Sequence, residues 1–461
     1  MNVTPATADS TRPPAIGLSA LLFTVAAVLA TLGALSGWVP LTVMAALALS
    51  VFVVLEFARI RRAQQIAATV LVGIAIVVAL VWGSVPEVLF NGVVRTLPFL
   101  LVFAAIGWLR AAALESPSVI ALRDALGRMG SGRRFAAFTL SAHGMGAAFN
   151  LAGIGLLVPM LDGARYEPRE DMRLRCGIMW GFAAATCWSP FYVGTAAVLS
   201  SLPVLRWSQV VPYGLMIAVG FLIYALAYDR FVRRRGVIEP PRDTAPLGLL
   251  RPVGRLIVAI AVLFTMTLGL VEGLHLGLTT AIALSAPTYA LGWLLLIYRG
   301  TGGGRMRRIA TGVVGGYASM RTETTLFVSA NIFGAAISAA LPAGGGFANS
   351  LPGLSGVFFV DATLMIWGYL TICALGIHPI VLLVVFTSAV DPTRLNVPLP
   401  LLGAVMMALW GMGTSVSPLS GTTLFMSQMS RASSFEIAWR WNGWFYVLGA
   451  LWLAAVLTLA S

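Results

Sequence analysis

Two short segments of the sequence place a proline among hydroxyl side chains with the same spacing. Thr186–Thr195 and Thr414–Thr423 both read T-x-x-S-P-x-x-x-x-T, with Ser189 and Ser417 before the prolines. A proline inside a helix leaves backbone carbonyls without donors, and the half-helix that follows offers unpaired N–H groups and the positive end of its dipole. Carbonyl oxygens suit Na⁺, whereas N–H groups suit an anion. The pattern predicts two broken helices that could each hold a small ion.

The second break carries the denser set of hydroxyl groups and is the strongest candidate site. Its hydroxyl-bearing residues are Thr414, Ser415, Ser417, Ser420, Thr422 and Thr423. Gly413 and Gly421 give the backbone freedom to turn there. The alternative is a structural kink, in which these hydroxyls bond to carbonyls of their own helix.

A glycine-rich segment precedes each break. Ser141–Ala148 and Ser329–Ala336 share S-A-x-x-x-G-A-A. Phe135–Leu161 is too short for two crossings of about 20 residues each, so a re-entrant hairpin is expected there. The recurrence of both motifs in the same order predicts two pseudo-repeats, the second with an insertion near Val357–Ala389. Chance matches among small residues, which also let helices pack closely, are the alternative.

Ionisable residues within apolar segments suggest function because a charge is costly inside a membrane. His143 could carry a proton or bind an anionic group, or it could make a structural hydrogen bond. Asp361 is a candidate for proton coupling, with a place at the membrane interface as the alternative. Arg321 and Glu323 could pair with each other or meet the charge of a substrate.

No motif of a soluble enzyme is found. The sequence has no nucleophile elbow, no phosphate-binding Walker loop and no metal-ligand pair. We therefore expect no catalytic activity, no direct use of ATP and no cofactor. The coupling ion is expected to be Na⁺ or H⁺, and no metal other than Na⁺ is expected.

The composition places these motifs in a membrane protein. Of 461 residues, 59% are hydrophobic and 10% are charged, against about 25% charged in soluble domains. Apolar runs of about 20 residues recur, which predicts about 11 to 14 membrane segments. The net charge of +13 comes from arginines in short loops, where they favour a cytoplasmic location. The charge therefore indicates topology, and no nucleic-acid partner is expected.

These features predict an all-α polytopic membrane protein with four regions. Scaffold helices occupy residues 1–134, and the first transport repeat occupies residues 135–235. Connecting helices follow over residues 236–308, and the second transport repeat with its insertion spans residues 309–461. Each repeat is expected to contain a re-entrant hairpin and a broken helix.

A hairpin followed by a broken S-P helix, and then the same again, resembles the ion transporter superfamily. This superfamily includes divalent anion/sodium symporters, arsenite and sodium/proton transporters, and permease subunits that work with periplasmic binding proteins. The resemblance covers about residues 135–228 and 309–460. It implies an inverted repeat, a scaffold part and an elevator-like transport part. It nominates as substrate- or ion-binding residues Ser141, His143, Asn150, Thr186, Ser189, Ser329, Asn331, Thr414, Ser415, Ser417 and Thr422.

The expected function is secondary active transport of a small, anionic solute, coupled to Na⁺ or H⁺. The expected location is a bacterial cytoplasmic (inner) membrane, with the lipid bilayer and the solute or ion as partners and a homodimer left open. Two alternatives stay open. One is a cation/proton antiporter on the same scaffold, and the other is a membrane enzyme or assembly protein without transport.

Overall fold

The computed structural model describes residues 16–126, 129, 131–162, 166–234, 250–299, 303–340, 355–389 and 397–459, and over these ranges the chain is helical without strands. The first eleven α-helices are α1 (Leu18–Ser36), α2 (Val39–Phe57), α3 (Arg62–Trp82), α4 (Val85–Val94), α5 (Leu97–Leu114), α6 (Pro117–Leu126), α7 (Ser131–Phe149), α8 (Leu151–Asp162), α9 (Pro168–Thr186), α10 (Val193–Ser201) and α11 (Trp207–Tyr228). The others are α12 (Leu250–Leu268), α13 (Leu278–Ile297), α14 (Gly303–Gly316), α15 (Arg321–Ala340), α16 (Phe358–Ala374), α17 (Pro379–Ala389), α18 (Leu399–Val416), α19 (Gly421–Gln428) and α20 (Gly443–Leu459).

Eight helical segments of the described chain are long and apolar enough to cross a membrane. They are Leu18–Ser36, Val39–Phe57, Arg62–Trp82, Val85–Leu114, Trp207–Arg233, Arg251–Gly273, Leu278–Ile297 and Leu399–Gln428. Two shorter apolar helices, α16 and α20, add to them. The chain is therefore an all-α, multi-pass membrane protein, as its composition predicts. The described part has fewer long spans than the expected 11 to 14, because helices such as α8, α10 and α17 are short.

Large apolar side chains face outward along the long helices. Val54 on α2 and Leu80 on α3 are 74% and 72% exposed. Such surfaces are unfavourable in water and favourable against lipid chains. Inside, one hydrophobic core joins α1 to α4 with α15 and the start of α5, and a second, larger core joins most of the other helices.

A buried ion-pair cluster fastens one end of the larger core. Arg173 on α9 is 1% exposed and binds both carboxylate oxygens of Asp229, with its Nε 2.5 Å from Oδ1. Its Nη1 lies 2.6 Å from Glu170 Oε2. Arg134 on α7 lies 3.6 Å from the other Glu170 oxygen. The start of α7, the start of α9 and the end of α11 therefore meet at one end of the bundle, here called the arginine-rich end.

The helix pairs α9–α10 and α18–α19 run in opposite directions. The start of α18 lies beyond the end of α10, where a Cβ on Gly403 would stand 3.0 Å from Leu205 Cδ1. The end of α19 lies near the start of α9, because Arg175 Nη1 donates to the Met429 carbonyl at 2.6 Å. The paths cross between these points. Antiparallel packing therefore brings the junction between α9 and α10 close to the junction between α18 and α19.

Candidate functional site

The first proline motif lies where α9 ends and α10 has not yet begun. Helix α9 ends at Thr186, α10 begins at Val193, and the six residues between them are non-helical. The hydroxyl of Thr195 crosses this break and donates to the Ser189 carbonyl at 2.6 Å. Ser189 and Thr195 are both fully buried, so the bond satisfies a carbonyl that the missing helical turn leaves without a donor. We call this segment, residues 187–192, the first break.

The second proline motif has the same local geometry. Helix α18 ends at Val416 and α19 begins at Gly421. Thr423 donates to the Ser417 carbonyl at 2.6 Å, the same distance as in the first break. Ser420 caps α19 by accepting from the Thr423 N–H at 3.2 Å. We call this segment, residues 417–420, the second break.

The two broken paths touch where they cross. Thr186 donates to the Met407 carbonyl of α18 at 3.1 Å. A Cβ on Gly411 would stand 2.2 Å from the Thr186 hydroxyl oxygen, so only glycine permits this approach. Both breaks are therefore held within one compact region between α9 and α18.

The helical hairpin α7–α8 docks onto the first break at three places. Ser189 donates to the Ala147 carbonyl, and Trp188 Nε1 donates to His143 Nε2 at 3.3 Å. At the turn of the hairpin, Asn150 donates to the Phe191 carbonyl at 3.3 Å. Asn150 adopts a left-handed conformation with φ of 53°, which asparagine tolerates better than most residues. The turn therefore lies directly against the break.

His143 takes part in this docking as a hydrogen-bond acceptor. Because its Nε2 accepts from Trp188, that nitrogen carries no proton. Its Nδ1 is buried without a hydrogen bond of normal geometry, and the Gly181 carbonyl is the acceptor nearby. His143 therefore makes a hydrogen bond that holds the hairpin against the first break, and its role as a proton carrier or anion ligand stays a prediction.

The second break also meets the α7–α8 turn and a carboxylate from α15. The position that a Cβ would take on Gly421 lies 3.8 Å from Leu151 Cδ1 and 3.6 Å from Glu323 Oε1. Leu151 follows Asn150, which contacts the first break. The hairpin turn, both breaks and Glu323 thus surround one small region. We call it the central site.

Hydroxyls of the second break fall into two groups. Thr414 and Ser415 donate to the Gly411 carbonyl at 3.1 and 2.9 Å, within their own helix. In contrast, the Ser417 hydroxyl is fully buried and has no hydrogen-bond partner in the described chain. Thr422, 4% exposed, opens α19 beside Gly421. A buried hydroxyl without a partner is costly, so Ser417 is the member of the motif best suited to a ligand.

Four nominated residues make none of the contacts that define the central site. Ser141 lies on α7 but makes none of the three docking bonds. Ser329 and Asn331 bond to the Thr325 and Phe327 carbonyls of their own helix. Asp361 lies in the first turn of α16 and accepts from the Ser355 N–H and hydroxyl at 2.9 and 2.8 Å. Asp361 therefore stabilises the start of α16, and its role in proton coupling stays a prediction.

The segment around Ser329 lies within the continuous helix α15, residues 321–340, just as the first S-A-x-x-x-G-A-A copy lies within α7 before the turn at Asn150. Residues 341–354, which follow α15, lie outside the described chain, so the hairpin expected at the second copy stays a prediction. The small residues of α15 serve packing: a Cβ on Gly92 of α4 would stand 2.4 Å from Ile332 Cα. Near the end of α15, Ala339 lies against Gly83, the residue that follows α3. These contacts are of the kind that the alternative interpretation of the shared motif, close helix packing, predicts.

The sequence analysis did not place Phe191, Met407, Leu151 or Glu323 among the binding residues, although it named Glu323 as a residue that could meet the charge of a substrate. Phe191 contributes its backbone carbonyl and N–H, which any side chain can supply. Met407 contributes its carbonyl and a sulfur that accepts from the Thr195 hydroxyl at 3.7 Å. Leu151 gave no signal apart from following Asn150. Glu323 did give one, because it is an ionisable residue in an apolar region, but its proximity to Gly421 depends on the packing of α15.

No protein-family model matches the chain, and no curated protein does. Among the described residues, no group of three or more His, Cys, Asp or Glu side chains could hold a metal ion. The three cysteines, Cys176, Cys187 and Cys373, are buried and free. The chemistry that the central site offers is therefore that of hydroxyls, helix ends and one carboxylate.

Proposed function

We propose that this chain is a secondary active transporter that moves a small, anionic solute across a bacterial cytoplasmic membrane, coupled to Na⁺ or H⁺. The observation that carries this proposal is the pair of breaks. Two interrupted helices run antiparallel, cross at Thr186 and Gly411, and close each break with the same threonine-to-serine bond of 2.6 Å. Interrupted membrane helices that meet in this way are typical of solute sites at the membrane midplane.

An inverted repeat is part of the proposal, and the opposite directions of α9–α10 and α18–α19 support it. The first re-entrant hairpin is α7–α8, whose turn contacts the first break through Asn150. We place the second at α16–α17 rather than around Ser329. Its turn contains Gly376, with φ of 101°, and lies against Leu419 of the second break. Membership of the ion transporter superfamily accords with this arrangement.

An anion is the proposed cargo because α19 presents free donors. The N–H groups of Gly421 and Thr422, at the start of α19, make no hydrogen bond in the described chain. Such groups and the dipole of the helix favour negative charge. The fully buried Ser417 hydroxyl adds a further group that can donate to the same ligand.

The test is uptake into proteoliposomes of radiolabelled mono- and dicarboxylates and oxyanions, driven by a Na⁺ or a pH gradient. We expect gradient-dependent accumulation of at least one anion, and a loss of tenfold or more with Ser417→Ala. Thr288→Val is the matched control, because Thr288 is exposed on α13 and bonds only to its own helix. Its uptake should equal that of the wild type.

Two other outcomes would replace the proposal. Collapse of a pH gradient when Na⁺ alone is added would identify a cation/proton antiporter. Absence of flux under every gradient, with Ser189→Ala and Ser417→Ala indistinguishable from the wild type in cells, would favour a membrane enzyme or assembly protein.

A further inference from the structure

Glu323 of α15 brings a carboxylate to the central site. Its Oε1 lies 3.6 Å from the position of a Cβ on Gly421, the first residue of α19. The N–H groups of Gly421 and Thr422 are free of other partners there. A carboxylate beside a helix N-terminus is favourably placed, because the N–H groups and the dipole attract negative charge.

The carboxylate of Glu323 forms no ion pair in the described chain. The nearest guanidinium on its helix, Arg321, binds Glu56 at 3.2 Å instead. In the first turn of α15, the residue's own backbone N–H and the positive charge of Arg321 lie close to the Glu323 carboxylate. The charged and titratable side chains on or next to the elements that pack against α15 are Glu56, Arg59, Arg61, Arg62, Glu87, Arg95, Tyr317 and His378. The start of α19 adds a further source of stabilisation for the charge of Glu323.

We infer that Glu323 occupies the anion site at the start of α19 when no substrate is bound, so that its protonation is the step that couples anion binding to H⁺. This inference rests on the proposed function and names its coupling ion. A proton from one side of the membrane forms an O–H bond with the carboxylate. The neutral acid then leaves the N–H groups of Gly421 and Thr422 to the substrate anion.

The cycle balances in charge and protons. One proton and one anion occupy the site together, and the carboxyl group gives up its proton on the other side as the anion leaves. The ionised carboxylate then returns to α19. Two negative groups cannot share the start of one helix at low cost, since like charges at short distance repel strongly. The competition therefore makes the two binding events mutually dependent.

Anion binding can be measured without transport. Thermal-shift titrations of the purified full chain would use sulfate, methanesulfonate and oxalate from mildly acidic to mildly alkaline pH. We expect the wild type to bind at least one of them about tenfold more weakly for each pH unit above the pKa of the carboxyl, as linkage to one proton requires. Glu323→Gln and Glu323→Ala should bind it with little pH dependence. Two variants are used so that a folding defect in one leaves the other informative.

Linkage also predicts proton uptake on binding. At alkaline pH, adding the anion to weakly buffered wild type should remove about one proton per site from solution, and the Glu323 variants should remove none. Glu87→Gln is the control, because Glu87 is exposed on α4, and it should behave as the wild type.

The inference is overturned if Glu323→Gln and Glu323→Ala keep the pH dependence of the wild type, or if none of the three anions binds either the wild type or the variants. These outcomes are distinct from failure of the proposed function. The anion could bind with uptake of a proton that depends on Glu323, while no flux is seen in proteoliposomes. That result would support the anion site and contradict the proposal that the protein is a transporter.

Discussion

Thr195 and Thr423 hold equivalent bonds but should not be equally important. The Ser417 carbonyl accepts from Thr423 and also from the Ser420 N–H at 3.3 Å. The Ser189 carbonyl accepts from Thr195 alone in the described chain. Thr195→Val should therefore destabilise the protein by about 1–3 kcal/mol, the cost of a buried group without a partner. Thr423→Val should cost less.

Unfolding of the detergent-solubilised variants measures this difference. Thr195→Ser and Thr423→Ser keep the hydroxyl and should stay close to the wild type. Equal losses of stability in Thr195→Val and Thr423→Val would contradict the idea that the second donor to the Ser417 carbonyl makes Thr423 less important.

A second prediction at the scale of single residues concerns Asp229. Asp229→Asn leaves the buried Arg173 with one carboxylate instead of two. Removing one partner from a buried ion pair costs about 3–5 kcal/mol. The exposed pair of Arg440 and Glu436, 3.8 Å apart, supplies the comparison, since Glu436→Gln should cost less than about 1 kcal/mol. Similar unfolding midpoints for the two variants would show that the cluster is hydrated.

At the scale of elements, the turn between α7 and α8 combines a backbone requirement with a contact. Asn150 has φ of 53° and bonds to Phe191. Asn150→Gly keeps the backbone conformation but removes the hydrogen bond to Phe191. We therefore expect solute uptake to fall while the free energy of unfolding changes little. Asn150→Val adds a β-branched side chain at positive φ and should cost about 1–2 kcal/mol more.

His275 is the matched control for the effect of a glycine substitution at a residue with positive φ. It has the same φ of 53° but lies in the loop before α13. His275→Gly should leave both unfolding and uptake near the wild type. If Asn150→Gly also left uptake unchanged, docking of the turn onto the first break would have no role in transport.

The elements also show which sequence patterns carry structural information. The prolines of T-x-x-S-P mark the ends of α9 and α18, because proline constrains the local backbone whatever surrounds it. The S-A-x-x-x-G-A-A pattern is less informative, because small residues serve helix packing anywhere. In α15 they meet α3 and α4. Contacts such as Glu323 with Gly421 depend on how distant helices pack, and no local pattern encodes them.

At the scale of the whole molecule, the composition was sufficient to predict an all-α membrane protein. The arginines predict which end of it faces the cytoplasm. Arg173 and its partners fasten one end of the bundle. The arginine-rich end should be cytoplasmic, because basic residues in short loops resist translocation. Whether the repeats are inverted then depends on the direction in which α18–α19 crosses the membrane relative to α9–α10.

Cysteine labelling tests this path directly. The native cysteines are buried and free, so they can be replaced by alanine before single cysteines are introduced. Arg169→Cys before the first break and Arg431→Cys after α19 should be protected from an impermeant maleimide in intact cells. Val204→Cys and Pro398→Cys, exposed at the opposite end, should react. If Arg431→Cys and Val204→Cys became labelled from the same side, α9–α10 and α18–α19 could not be antiparallel across the membrane, and the inverted repeat would be excluded.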